Sequence, residues 1–446
     1  MKRCKRIASL LLILALALAL PSLRVLALEP VPALNGSAVL LLHPETGTVI
    51  YARDADRPRA PSSLVKLMTA LIAVEALPDL SRELTVSKEA LANLSGLATA
   101  GLKAGEVLTV EQLLYCLLLP SAGDAALVLA EAVAGDEASF VARMNQRAEA
   151  LGMAGTHYVN PHGRDHDLQY TTAADLAVLA RQVMKNETLR TICATQYKRI
   201  AKTNLTTDRY YFSNNALIIS STDRRKLEDY YYAPARGLMT GYSAAAGYNL
   251  VATAKKGGLE LICVVLGASK DEASGNKRHY TDAVSLFTWC YGNLQYAELL
   301  KPLDPVCEVT VQLSNTRDAM TLVAPQGCWA LIPADVAPAE MARSFELQQD
   351  IEAPIARGEV LGRVTFSHAD IPYASCLLAA QSAAERSPLL FVIDRIGNFF
   401  SGRWARLVLF TTVVLVVLYL GLTILLNRRR RVQKARRRAG GKGPYR

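Results

Sequence analysis

The helix-forming run after Pro61 constrains this chain more than any other stretch. Leu67, Met68, Leu71, Ile72, Val74 and Leu77 leave it almost no polar face. A helix of that kind is interior, so the fold must supply layers around it. At its start stand Ser63 and Lys66. Three residues apart on a helix, they share a face, with Cβ atoms about 5–6 Å apart. A serine hydroxyl needs a base beside it to act as a nucleophile. A lysine among apolar neighbours has its pKa lowered by desolvation and can be that base. The same spacing recurs at Ser274-Gly275-Asn276-Lys277, in a polar run rich in turn residues, and there it reads as a loop.

The formal charge of +10 invites a nucleic-acid partner, but its placement argues otherwise. Residues 1–28 carry five Lys/Arg and no acid, and residues 428–446 carry ten and no acid. The chain between them has 35 basic against 40 acidic side chains, so the excess serves topology and no nucleic acid is expected. Residues 1–28, with a basic start, an apolar core and a small residue at Ala27, read as a secretory signal peptide. Residues 407–426 are uncharged and long enough to span a bilayer. The Lys/Arg cluster immediately after them marks the cytoplasmic side. This predicts a single-pass protein of the cell membrane with an extracytoplasmic body and a cytoplasmic tail, residues 427–446. Residues 387–406 read as an amphipathic helix on the membrane or as a plain linker. Seven cysteines lie beyond the signal, scattered and without a C-x-x-C pair. Most read as small buried hydrophobes, with one disulfide at most, Cys307–Cys328 being the candidate.

Apolar runs at 38–42 and 48–52 predict one β-hairpin, and runs at 247–254 and 259–267 a second, with 237–243 as its neighbour strand. Helices are predicted at 110–119, 125–134, 137–151 and 172–185. His162 and His166 have a spacing that suits a metal on a helix, but Pro161 and Gly163 disfavour a helix there. No metal or cofactor is expected. Alternation from Cys307, with short strands near 320–324, 328–332, 344–348 and 360–366, predicts a small antiparallel β domain over 294–386. The fold class is α+β.

Several long stretches resemble the low-molecular-mass penicillin-binding proteins, the D-alanyl-D-alanine carboxypeptidases of serine peptidase group S11. They are PETGTVIYARDADRPRAPSSLVKLMT, AGLKAGEVLTVEQLLYCLLLPSAGDAALVLAE, LGMAGTHYVNPHG and GLMTGYSAAAGYNLVATAKKGG, and the likeness covers about residues 35–395. The resemblance implies a serine penicillin-binding/β-lactamase-like domain at 29–293, an antiparallel sheet with flanking helices and a helical subdomain. The small β domain and one C-terminal transmembrane helix then complete the chain. It implies a membrane-anchored enzyme that cleaves D-alanine from peptidoglycan stem pentapeptides through an acyl-enzyme, with β-lactam antibiotics as acylating inhibitors.

Members of that family carry three motifs, S-x-x-K, S-x-N and K-T-G. Carried over, Ser63 would be the nucleophile and Lys66 its base. The Ser63 N–H and one from the third-motif strand would form the oxyanion hole. Ser121 would relay a proton to the leaving amine. Thr240 and Gly241 would line the cleft and hold the substrate's carboxylate, with Met239 and Gly123 at the other substrate-binding positions. Gly123 stands where the motif has asparagine, and Met239 where it has lysine. Losing one such donor or charge typically removes about 10²–10³ in rate. These departures motivate an alternative: a catalytically degenerate homologue that binds peptidoglycan or a partner protein without turnover. Ser121, with Asp124 three residues on, also fits a helix-capping pattern.

Overall fold

The computed structural model describes residues 30–220, 230–315 and 318–439. The secretory signal read at 1–28 and residues 440–446 of the basic tail lie outside them. The chain forms two compact units. One runs to Tyr296 and takes in Leu331–Ala337; the other is Ala297–Ala330 and the chain from Pro338 on.

At the centre of the first unit is a five-stranded antiparallel sheet of β1 (Ala38–Leu42), β2 (Val49–Arg53), β3 (Ala235–Ser243), β4 (Gly247–Lys256) and β5 (Leu259–Ala268), in the order β2-β1-β5-β4-β3. Both predicted hairpins are present, with Val39 opposite Arg53 and Lys255 opposite Glu260. β1 is apolar throughout because both of its faces are covered. Ala38, Leu40 and Leu42 enter one core, and Val39 and Leu41 enter the other.

The first core is closed by α1 (Lys66–Ala76), α2 (Val110–Leu118), α3 (Gly123–Ala134), α4 (Glu137–Ala150), α5 (Ala173–Lys185) and α6 (Glu187–Ala194). α1 packs against each of the other five. It is buried from Lys66 through Val74, which accounts for its lack of a polar face. The second core is closed by α7 (Arg278–Asn293), whose Ala283, Leu286, Phe287 and Cys290 pack on Val39, Leu41, Leu250 and Leu261. Neither α6 nor α7 was expected. The apolar positions of α7 do recur at helical spacing, but the helix comes straight after a turn-rich segment and its remaining positions are largely polar.

The second unit holds an antiparallel sheet of β6 (Pro305–Thr310), β7 (Ala319–Val323), β8 (Ala342–Leu347), β9 (Val360–His368) and β10 (Ile371–Ala380), in the order β6-β7-β10-β9-β8. The expected Cys307–Cys328 pairing is wrong. Cys328 is bonded to Cys376, their Cα atoms 6.1 Å apart, and Cys307 is free. A disulfide needs Cα atoms within about 7 Å and converging Cβ atoms, and nearness in sequence supplies neither. Cys116, Cys193, Cys263 and Cys290 are buried and unpaired. Residues Pro388–Ser401 form α8, so this segment is helix and not linker. α9 (Arg403–Ala439) contains the uncharged stretch and is long and apolar enough to cross a membrane.

Candidate active site

Ser63 sits in a 3₁₀ turn, Ser62–Val65, that passes into α1 at Lys66. A regular α-helix through both residues was expected. The tighter turn eclipses positions three apart, which brings the two side chains into line. Lys66 Nζ lies 3.3 Å from Ser63 Oγ and also donates to the main-chain carbonyl of His162. Ser63 is half-buried, whereas Ser62, Leu64 and Val65 are buried.

The turn is held from several sides. Asn249 of β4, fully buried, donates from Nδ2 to the carbonyls of Ala60 (3.0 Å) and Pro61 (3.3 Å), while its Oδ1 accepts from the Gly267 N–H at 2.8 Å. Thr69 Oγ1 donates to the Pro161 carbonyl at 2.6 Å. Gly163, at φ +82°, lies so close that a Cβ there would fall 2.3 Å from the Ser62 carbonyl oxygen. A Cβ on Gly241 of β3 would fall 3.0 Å from the Ser63 nitrogen. The main chain approaches the serine closely at both places, which favours glycine.

Lys66 is 2% exposed. Burial brings its amine down from 10.5 to about 7, against the nearby Asp124 carboxylate, which favours the charged form. About half of the amines are therefore neutral at pH 7 and able to take a proton. Asp124 is fully buried. It accepts from the N–H groups of Ala100 (2.9 Å), Leu102 (3.1 Å) and Ala125 (2.9 Å), tying the segment around residue 100 to α3. Sequence reasoning read Asp124 as part of a capping pattern with Ser121. Its anchoring role depends on a segment more than twenty residues upstream, which no local pattern announces.

Ser121 adopts φ +61° and is 5% exposed, and its Oγ has no hydrogen-bond partner among the described residues. It does not cap a helix: the N-cap of α3 is Ala122, with no side-chain bond. Ser121 instead lines a cavity of about 470 Å³, together with Ser63, Thr240, Gly241, Tyr242, Lys277 and His279. Thr240 Oγ1 donates to the Asn249 carbonyl at 3.0 Å and lies 3.2 Å from His279 Nε2. Lys277 and His279 were not singled out from sequence as site residues.

Met239 and Gly123, expected at substrate-binding positions, do not line this cavity. Met239 is 3% exposed and lies in the apolar core with Leu238 and Val251. Gly123 is covered by Leu97: a Cβ on it would lie 2.8 Å from Leu97 Cδ1 and 3.1 Å from Leu97 Cβ. Restoring asparagine by Gly123→Asn is therefore expected to overpack the site and destabilise the fold by about 1–3 kcal/mol. Adding Leu97→Ala should recover most of that loss, and thermal denaturation of the two variants checks it. His162 offers its carbonyl to Lys66, and its ring Nε2 lies 3.4 Å from Glu137 Oε1. The His166 ring accepts from the Leu168 N–H at 3.1 Å.

A family model described as D-alanyl-D-alanine carboxypeptidase, peptidase S11, matches residues 27–270. The chain is 26% identical over 365 residues to the D-alanyl-D-alanine carboxypeptidase DacF of Bacillus subtilis, covering 81% of this chain and 89% of that protein. It is 33% identical over 238 residues to a D-alanyl-D-alanine carboxypeptidase of a Streptomyces species, covering 50% of this chain and 78% of that protein. Among solved structures, penicillin binding protein 5 from Haemophilus influenzae superposes with a TM-score of 0.67 at 24% identity, over 81% of this chain and 100% of that one. The Streptomyces K15 DD-transpeptidase superposes with a TM-score of 0.52 at 30% identity, over 58% of this chain and 98% of that one.

Proposed function

This chain belongs to the D-alanyl-D-alanine carboxypeptidase family of serine peptidases, and on that premise we propose that it removes the terminal D-alanine from peptidoglycan stem pentapeptides outside the cell membrane. In this reading Ser63 Oγ attacks the carbonyl carbon between the two D-alanines while Lys66 takes the hydroxyl proton. The oxyanion is received by the Ser63 N–H and an N–H of β3, whose Gly241 approaches the Ser63 nitrogen closely. The Ser121 hydroxyl passes a proton to the departing amine. D-alanine leaves, and water hydrolyses the acyl-enzyme. A β-lactam would acylate the same hydroxyl. The observation that carries the proposal is the Lys66 amine, buried and held near a pKa of about 7, lying 3.3 Å from a serine oxygen in a cavity wall.

Residues 29–293 act as the catalytic domain and 294–386 as a spacer. α9 crosses the membrane once, leaving Arg428–Arg431 and the rest of the basic tail in the cytoplasm. The exposed Leu389, Val392, Ile393, Ile396 and Phe400 of α8 recur at helical spacing, which suits a helix lying at the interface.

Intact-mass spectrometry of the full chain in detergent tests the proposal. Penicillin should add one acyl group, mapped to Ser63, and a pentapeptide should release D-alanine. Folded protein that takes up no adduct and releases no D-alanine would overturn it. An adduct without D-alanine release would leave a binder without turnover.

A further inference from the structure

We infer that the positive charge reading the free carboxylate at the substrate's C-terminus is supplied by Lys277, at the start of α7, and that this residue makes the site selective for free-acid peptides over amidated ones. The inference rests on the carboxypeptidase reading above. A carboxylate that enters a cleft loses water and needs a charged or strongly donating partner. Met239 stands at the motif position for that partner and is buried in the core. Lys66 is committed to Ser63 and to the His162 carbonyl.

Among the residues that line the cavity, Lys277 is the single side chain with a full charge, and no acid lines it. Lys277 makes no ion pair among the described residues. Its stem starts from a fixed point, because its N–H donates to Tyr230 Oη at 2.6 Å and its main chain caps α7. The Lys277 side chain does not fold back to cap that 16-residue helix, and the helix N-terminus adds partial positive charge at the same wall.

His279 is not the cation. It is 1% exposed, and burial, reinforced by the Lys277 charge, lowers its pKa to about 3, so the ring is neutral at physiological pH. Because Thr240 Oγ1 gives its hydrogen to Asn249, it accepts from His279 Nε2–H, and Nδ1 is left bare. His279 Nδ1 and Ser121 Oγ are both buried and both without a partner among the described residues, and their residues line this cavity. Two such atoms mark a cavity built for a polar ligand.

The test reads binding, with Ser63→Ala in the full chain to keep the ligand uncleaved. NMR titration compares an acetylated tripeptide ending in D-Ala-D-Ala with its C-terminal amide. The acid should bind about 10–100-fold tighter than the amide, the range of a hydrogen bond to a charged group. Adding Lys277→Met should weaken only the acid and bring the two within about twofold, and Lys277→Arg should keep most of the preference. Unchanged melting temperatures check the fold. A preference that survives Lys277→Met, an equal loss for both ligands, or no preference at the outset would overturn the inference. The readout needs no turnover. D-alanine release that is unaffected by Lys277→Met in the chain with Ser63 intact would refute Lys277 and leave the enzyme reading standing.

Discussion

Lys66→Met is expected to slow acylation of Ser63 by penicillin about 10⁴-fold or more, while raising the melting temperature at and below neutral pH. The rate loss comes from removing the proposed base, the amine that among the described residues lies within hydrogen-bond reach of the hydroxyl. Ser63→Ala should cost as much, and the double variant no more, because residues that act as a unit are not additive. The stability gain comes from burial. The amine titrates near 10.5 in the unfolded chain and near 7 when folded. Below pH 7 both states hold the proton, so the folded protein carries a buried ammonium and the full penalty. Between about 7 and 10.5 the unfolded chain binds the proton and the folded chain does not, so stability rises with pH. Above 10.5 the penalty is gone. Methionine has no such group. The variant's advantage should therefore be widest below pH 7, on the order of 3–5 kcal/mol before the lost bond to the His162 carbonyl is deducted, and should shrink as pH rises. Melting curves of both proteins from about pH 5.5 to 9 check it, alongside wild-type acylation, which should rise through pH 7 as the amine becomes neutral. A stability gap that does not change with pH would show that Lys66 titrates normally, and acylation that tolerates methionine would remove it as the base.

Features written locally in the chain were legible, and those made by distant returns of the chain were not. Ser63 and Lys66 could be paired because they stand three positions apart, and the apolar run after them announced an interior helix. The second hairpin was legible because β4 and β5 are joined by Gly257-Gly258, at φ +57° and +86°. The segment ending in Lys277 was rightly taken as a loop. That it lines the cavity emerges only once α7 has packed on the sheet. Met239 could be set against the lysine that the resemblance implies, yet whether its side chain enters the cleft or the core depends on the face its strand presents. Leu97 over Gly123, and Asp124 holding Ala100 and Leu102, join segments more than twenty residues apart that no period or spacing connects.

Gly163→Ala should cost several kcal/mol of stability and at least about 10² in acylation rate, although residue 163 lies outside all three motifs. The added methyl would fall 2.3 Å from the Ser62 oxygen, 2.8 Å from its carbonyl carbon and 3.0 Å from Ser63 Cα. These are main-chain atoms, so no flexible side chain can swing aside. The φ of +82° adds backbone strain of about 1 kcal/mol for any residue with a Cβ. Two relaxations are open. If the 160–164 turn retreats, it takes the His162 carbonyl from Lys66 and the Pro161 carbonyl from Thr69. If the Ser62–Ser63 peptide retreats, it moves Ser63, the proposed nucleophile, and a displacement of about 1 Å costs about 10² in rate. Gly152→Ala is the control. Its φ of +75° is similar and nothing lies within 4 Å of the added methyl, so it should show the strain alone, about 1 kcal/mol, with acylation unchanged. Normal acylation by Gly163→Ala would mean that the 160–164 turn does not set the position of Ser63. Loss in both variants would trace the defect to backbone strain and not to contact with the serine turn.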